Sequence, residues 1–369
     1  MPEKFDGSKV TPIVRSTVFE ADETIDASAI RYPRLSTLPG QLEVARALAS
    51  AEGGEAALVT SSGMAAVTTT LLALLAGGGH ALAQRSLYGA TQQFLTRELT
   101  GLGASATLVD VREPNTWTTA LTERSRVLYV EAITNPLLEV ADHRKIVQFA
   151  RQHGLVTIID NTFASPINFR PLQLGFDVVV HSATKYLGGH NDVLAGLVAG
   201  KSGLVSLVRD VRHMMGAVCD PYAAWLVHRG LKTLALRVAH QNEAAMAIAR
   251  FLEAESQIEQ VWYPGLESHA CHDVARRTMD GFGGMVTFAV RGDLEATGRF
   301  IDALQIPRIA PSMGGVESLV EQPALMSYFE LSTEQREKVG IKNNLVRYSV
   351  GIESADDLIE DLRQALQVL

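Results

Sequence analysis

Between residues 56 and 199, short β-branched apolar runs alternate with longer stretches of helical periodicity, and this rhythm restricts the fold more than any other feature. The runs fall at 57–60, 80–83, 106–109, 127–130, 156–159, 178–180 and 193–198. Helical patterns occupy 64–75, 91–100 and 143–153. Strands spaced by roughly 10–15 residues of helical pattern join through crossovers, which makes neighbouring strands parallel and covers both sheet faces. The expected class is α/β, with a mostly parallel seven-stranded sheet.

Near Arg229 the rhythm changes. Residues 230–254 read as one long helix, broken only mildly at Thr233, and Tyr263-Pro264-Gly265 signals a turn. Strand-like runs follow at 285–290 and 345–350, with helices at 294–304 and 355–366. This pattern implies a smaller C-terminal α+β domain. The first residues carry Pro2, Pro12 and Pro33 with little periodicity. The expected division is therefore an extended arm (1–35), a large α/β domain (36–235) and the C-terminal domain (236–369).

Composition narrows the function classes. With Lys+Arg 33 against Asp+Glu 41 among 369 residues, the formal net charge is −8, and no Lys/Arg run is present. That argues against a nucleic-acid binder and a polybasic membrane anchor. Apolar residues at 47% supply a sizeable core. Cys219 and Cys271 form no CxxC pair, which excludes a disulfide scaffold and a four-cysteine zinc site and fits a reducing compartment. The opening MPEKFDGSKV has no apolar core of a secretory signal, and the most apolar stretch, 65–83, is interrupted by threonines, glycines and His80. A cytoplasmic enzyme acting on a small molecule is expected.

Ligand sites of parallel sheets lie beyond the carboxyl ends of their strands. Asp160 follows the run VTII, Lys185 lies in HSATKYLGGH after DVVV, and SSGMAA after ALVT leads into a helix. The N–H groups of Gly63 and Met64 at that helix start suit a phosphate, assisted by the Ser182 and Thr184 hydroxyls. A lysine can hold an aldehyde as a Schiff base. A carboxylate can keep a pyridine nitrogen protonated, and Tyr88 can stack on a flat ring. Singly, each has an ordinary explanation as a cap, a turn or a solvated side chain. Together they describe a site for pyridoxal 5′-phosphate.

The segment HSATKYLGGHNDVLAG, with SSGMAA, LYGAT, EAITNPLLEVAD, IIDNTFASP, SMGGVESLVEQPALMS and LVRYSVGIESADDL, resembles the Cys/Met-metabolism (trans-sulfuration) family of pyridoxal-phosphate enzymes. The likeness runs from about Thr11 to the C-terminus. It implies the fold-type-I architecture, with Lys185 as Schiff-base lysine and proton shuttle, Asp160 on the pyridine nitrogen, and Tyr88 stacked on the ring as acid/base. It further implies Gly63, Met64, Ser182 and Thr184 on the phosphate, and Asn135 near the cofactor and the substrate carboxylate. Arg347 and Ser312 would hold that carboxylate. Tyr32 and Arg34 match a segment reaching the phosphate of a neighbouring subunit, so shared sites in a homotetramer, a dimer of dimers, are implied. Thr37-Leu38-Pro39, Ala90 and Pro311 depart from common family patterns, the last two away from γ-lyases. The expected activity is cystathionine γ-synthase-type replacement at Cγ, with γ-elimination, as in cystathionine or methionine γ-lyase, as the alternative.

Three rivals belong to other classes. A metal-dependent hydrolase could use His269, Cys271 and His272 with His190 and Asp192, although SHACH matches no standard zinc spacing. An aminotransferase would share the cofactor. A scaffold without activity would have no need of Lys185, Asp160, Tyr88 and Arg347 together.

Overall fold

The computed structural model describes residues 9–20 and 30–369; the remainder of the expected arm lies outside the described residues. The seven apolar runs form one sheet: β1 (Ala56–Thr60), β2 (His80–Gln84), β3 (Ser105–Val109), β4 (Ser125–Glu131), β5 (Val156–Asp160), β6 (Val178–Ser182) and β7 (Gly196–Gly200), in the order β1-β7-β6-β5-β4-β2-β3. From β6 to β3 every pairing is parallel. β7 alone runs antiparallel to its neighbours, because residues 183–195 return as a loop without a crossover helix. That loop explains why β7 starts at Gly196 rather than Val193: the backbone N–H of Ala195 is bound instead by the Thr184 hydroxyl, 3.2 Å away.

Alternation along the strands splits the interior between the two faces. Val59, Leu82, Val130, Ile159, Val179 and Leu197 enter one core, while Leu58, Ala81, Tyr129, Ile158, Val180 and Val198 enter the other. The second core packs the helix Gly63–Leu75, whose Ser62 cap accepts the N–H of Ala65 at 3.0 Å. Strands β4, β5 and β6 end in Glu131, Asp160 and Ser182, and the same alternation aims all three side chains toward that helix face.

The long helix expected over 230–254 is two, Pro221–Leu231 and Leu234–Ala254. At Gly230 a Cβ would lie 2.2 Å from the Gly188 carbonyl oxygen, so the first helix presses its backbone on the lysine-bearing loop. The buried Arg237 fastens the joint, donating to the carbonyls of Tyr186 and Gly230, both at 2.9 Å. The expected division at residue 235 falls at the start of the second helix. Beyond it lies a five-stranded sheet: β8 (Ile258–Trp262), β9 (Met285–Val290), β10 (Arg308–Ile309), β11 (Leu319–Glu321) and β12 (Leu345–Ser349), ordered β10-β11-β12-β9-β8. Helices Leu234–Ala254 and Ala355–Ala365 pack their apolar faces on it. Near the N-terminus, residues 9–20 form neither helix nor strand, and Trp225 Nε1 holds the Thr11 carbonyl at 2.9 Å.

Candidate active site

The carboxyl ends of β1, β2, β4, β5 and β6 converge on a cavity of about 430 Å³, closed from the second sheet by Ser312 and Arg347. Among the expected residues, Gly63, Met64, Tyr88, Asn135, Asp160, Ser182, Thr184, Lys185, Ser312 and Arg347 all line it. Tyr32 and Arg34 do not. They lie apart from it, with the Arg34 guanidinium 5.5 Å from the Tyr32 ring centre and donating to the His213 carbonyl at 3.5 Å.

Lys185 Nζ donates to Ser312 Oγ at 2.9 Å. Burial, and secondarily the nearby Arg347 charge, push its pKa down to about 8, with Glu321 opposing. The amine therefore sheds its proton more readily than an ordinary lysine. Arg347 is itself buried and heavily engaged: it donates to Asn135 Oδ1 and the Ser312 carbonyl, both at 3.1 Å, and pairs with Glu321 at 3.1 Å. Glu321 in turn accepts from Ser327 Oγ at 2.5 Å. The Tyr328 hydroxyl donates to the Asn135 carbonyl at 3.0 Å. Asp160 accepts the N–H of Thr162 at 2.9 Å, while loss of water raises its pKa from the ordinary carboxylate value.

The residues fit pyridoxal phosphate. Where the helix Gly63–Leu75 begins, a Cβ on Gly63 would lie 2.6 Å from Ser182 Cβ, so only glycine lets the helix start meet β6 there. The unpaired first N–H groups of that helix, beside Ser182 and Thr184, form a cradle for a phosphate. Lys185 and Asp160 line the same cavity, an amine that could take the aldehyde and a carboxylate that could pair with a protonated ring nitrogen.

Three contributors escaped the reading of the sequence. Glu131 lines the cavity and accepts the Tyr88 backbone N–H at 2.6 Å; Glu321 and Tyr328 brace the Arg347–Asn135 pair. A faint signal existed for Glu131, an acid closing the apolar run VLYV. His181 is buried on the opposite sheet face, with Nε2 2.6 Å from Glu52 Oε1. For the metal rival, among the described residues no group of three or more His, Cys, Asp or Glu side chains could share an ion. His269 Nδ1 accepts the Cys271 N–H at 3.2 Å, and His272 Nδ1 and His190 Nδ1 meet the carbonyls of Pro264 and Gly188. Residues 268–271 border a second cavity of about 440 Å³, whose lining shares no residue with the first.

The model of the Cys/Met metabolism PLP-dependent enzymes matches residues 2–367. The chain belongs to that family. Among relatives, it is 43% identical to the chloroplastic cystathionine γ-synthase 1 of Nicotiana tabacum over 96% of this chain, and 40% identical to the L-methionine γ-lyase of Pseudomonas putida over 99%. It is 39% identical to a cystathionine β-lyase of Lactococcus lactis subsp. cremoris, again over 99%. It spans 94% of the Pseudomonas enzyme and 96% of the Lactococcus enzyme, but only 67% of the tobacco enzyme and 65% of its Arabidopsis thaliana counterpart. The crystal structure of cystathionine γ-synthase from Xanthomonas oryzae pv. oryzae, in complex with aminoacrylate and cysteine, superposes with a TM-score of 0.94 at 36% identity. That match covers 98% of this chain and 94% of the other. The family member described here is thus a pyridoxal-phosphate-dependent enzyme of sulfur amino acid metabolism with the fold-type-I α/β architecture. No described helix is long and apolar enough to cross a membrane.

Proposed function

We propose that this enzyme replaces the γ-substituent of an O-acyl homoserine with the sulfur of cysteine, releasing the acyl group as its carboxylic acid and forming cystathionine. The observation that carries the reading is the placement of Lys185 Nζ inside one cavity with Asp160 and the Arg347–Asn135 pair. Pyridoxal phosphate, when bound, supplies an electron sink for the substrate's Cα. Around it, the chain's own groups divide the work. Gly63, Met64, Ser182 and Thr184 hold the phosphate, and Asp160 keeps the ring nitrogen protonated. Arg347, with Asn135 and Ser312, binds the substrate carboxylate, a task suited to a guanidinium already fixed on three sides. Lys185 removes the Cα proton and then one from Cβ, so that the γ-substituent can leave. Tyr88, at the cavity mouth, stacks on the ring and exchanges protons near the departing group. The thiol of cysteine then adds at Cγ.

Replacement is favoured over γ-elimination by Pro311 on the cavity wall and by Ala90 after the Tyr88-Gly89 pair, the two positions where the sequence departs from γ-lyase habits. The likeness to plant γ-synthases points the same way. The test is a panel of O-acyl homoserines, cystathionine, methionine and homocysteine, each with and without cysteine, followed by mass spectrometry. Cystathionine formed from an O-acyl homoserine only when cysteine is present is the expected result. A 2-oxo acid and ammonia as main products despite cysteine would reassign the enzyme to γ-elimination, and pyruvate from cystathionine to β-elimination.

The assembly proposed is a cytoplasmic homotetramer in which Tyr32 and Arg34 reach a neighbour's phosphate. Their position outside their own cavity supports this, as do the exposed Met214 and Met215 next to the His213 carbonyl that Arg34 binds.

A further inference from the structure

Two carboxyl groups close neighbouring strands in register. Glu131 ends β4 opposite Asp160 at the end of β5, and both line the cavity. Paired residues of parallel strands project to one side, so the two acids stand next to each other. Like charges so close in a dry site do not both ionise. Their surroundings tell them apart. Asp160 accepts the Thr162 N–H and feels the His181 ring on the next strand. Glu131 is 5% exposed, and its side chain accepts the backbone N–H of Tyr88 at 2.6 Å. Among the described residues no cation pairs with it: Arg347 is paired with Glu321, and Lys185 donates to Ser312.

We propose that Glu131 is a positioning residue that works as a neutral carboxylic acid, fixing the Tyr88 backbone at the cavity mouth while Asp160 alone carries the negative charge of the pair. The inference rests on reading this cavity as the reaction site. The electrostatics agree. Burial first, and the Asp160 charge second, push the Glu131 carboxyl well above its usual range, opposed by the Tyr88 N–H alone. The other titratable groups around it are the phenols of Tyr129 on β4 and Tyr328 on the 321–331 segment, both raised by burial and by this acidic neighbourhood, and His143, which meets the Glu131 backbone and which burial holds down to about 4. None of them can neutralise a second carboxylate.

The test uses holoenzyme carrying Glu131→Ala or Glu131→Gln. Glutamine keeps an acceptor for the Tyr88 N–H without a titratable group. Glu131→Ala should lower kcat on the order of 10²-fold with KM little changed, the scale of a loosened catalytic group. Glu131→Gln should restore most of that loss, with a pH profile superposable on wild type. A Gln variant as impaired as Ala, or one whose pH profile moves, would show that an ionised carboxylate is used and would overturn the proposal; so would an Ala variant with undiminished kcat. Independently of turnover, the infrared difference spectrum of wild type minus Glu131→Gln at neutral pH should contain the carbonyl stretch of a protonated carboxyl. Absence of that band refutes the neutral acid even where Glu131→Ala fails to fold. If the cavity were not the reaction site, Lys185→Ala would remain active whatever the infrared result, so the two failures are distinguishable.

Discussion

A lysine that titrates near neutrality is a different reagent from one on the surface. With its pKa lowered to about 8, Lys185 offers a substantial fraction of free amine at physiological pH. In enzyme stripped of cofactor, the rate of capturing the pyridoxal aldehyde should rise as pH climbs through about 8 and then level off, read from the absorbance of the bound chromophore. A plateau delayed to the usual lysine range would show that burial does not depress this amine. Lys185→Ala should abolish turnover and leave no borohydride-reducible adduct, with circular dichroism unchanged. Arg347→Ala should raise KM for carboxylate substrates more than it lowers kcat. It also strands Glu321 in the interior, a loss of about 3–5 kcal/mol for a broken buried pair, so a lower Tm should accompany it; an unaltered KM would contradict the clamp. Asp160 and Lys185 were legible because each is a polar residue following an apolar run, whereas Arg347 was reached only through the family resemblance of LVRYS. Glu321 was not, because its meaning comes from Arg347, 26 positions later in the chain and one strand over.

Elements were readable in proportion to how strongly burial shaped them. Most strands of the large sheet are apolar runs because both of their faces are covered, whereas the edge strand β3 leaves Thr107 exposed. In the smaller sheet β9 and β12 are buried throughout and were expected, whereas β8 exposes Glu259 and Gln260 and interrupts its own pattern. β10 and β11 have only two and three residues, too few for any period to register. The helix break at Lys232-Thr233 left little trace, since its cause is Gly230 pressed against a distant loop. The same close-approach logic yields a test on the helix Gly63–Leu75. Gly63→Ala should weaken cofactor retention at least about tenfold, because a methyl group against Ser182 displaces the helix start. Fluorescence titration of the stripped protein measures this. Retention equal to wild type would mean that the N–H groups at this terminus do not carry the phosphate.

For the molecule as a whole, pH sensitivity should come partly from a histidine that does not line the cavity. His143 is fully buried, stacked on Phe169, and burial lowers its pKa to about 4 from 6.5. The unfolded chain therefore binds a proton there between pH 6.5 and about 4 while the folded chain does not. Stability from this residue is complete above that window and is lost as pH falls through it, about 3 kcal/mol in all. His143→Leu should flatten the fall, seen as urea midpoints at pH 7 and 4.5 that differ less than in wild type; equal slopes in both proteins would discount the residue. Assembly offers a second global test. Met214→Glu in the exposed pair should shift the sedimentation coefficient toward smaller species without altering cofactor colour per chain, and an unchanged coefficient would remove that face from the interface.

Arg237 has a mechanical consequence. Its helix is rooted in the interior of the five-stranded layer, yet its guanidinium grips the carbonyl of Tyr186, the residue directly after Lys185. Any rocking of one layer against the other must tug on the chain that carries the amine. The nucleophile's reach is thereby tied, like a lever to its fulcrum, to how the two halves of the enzyme lean.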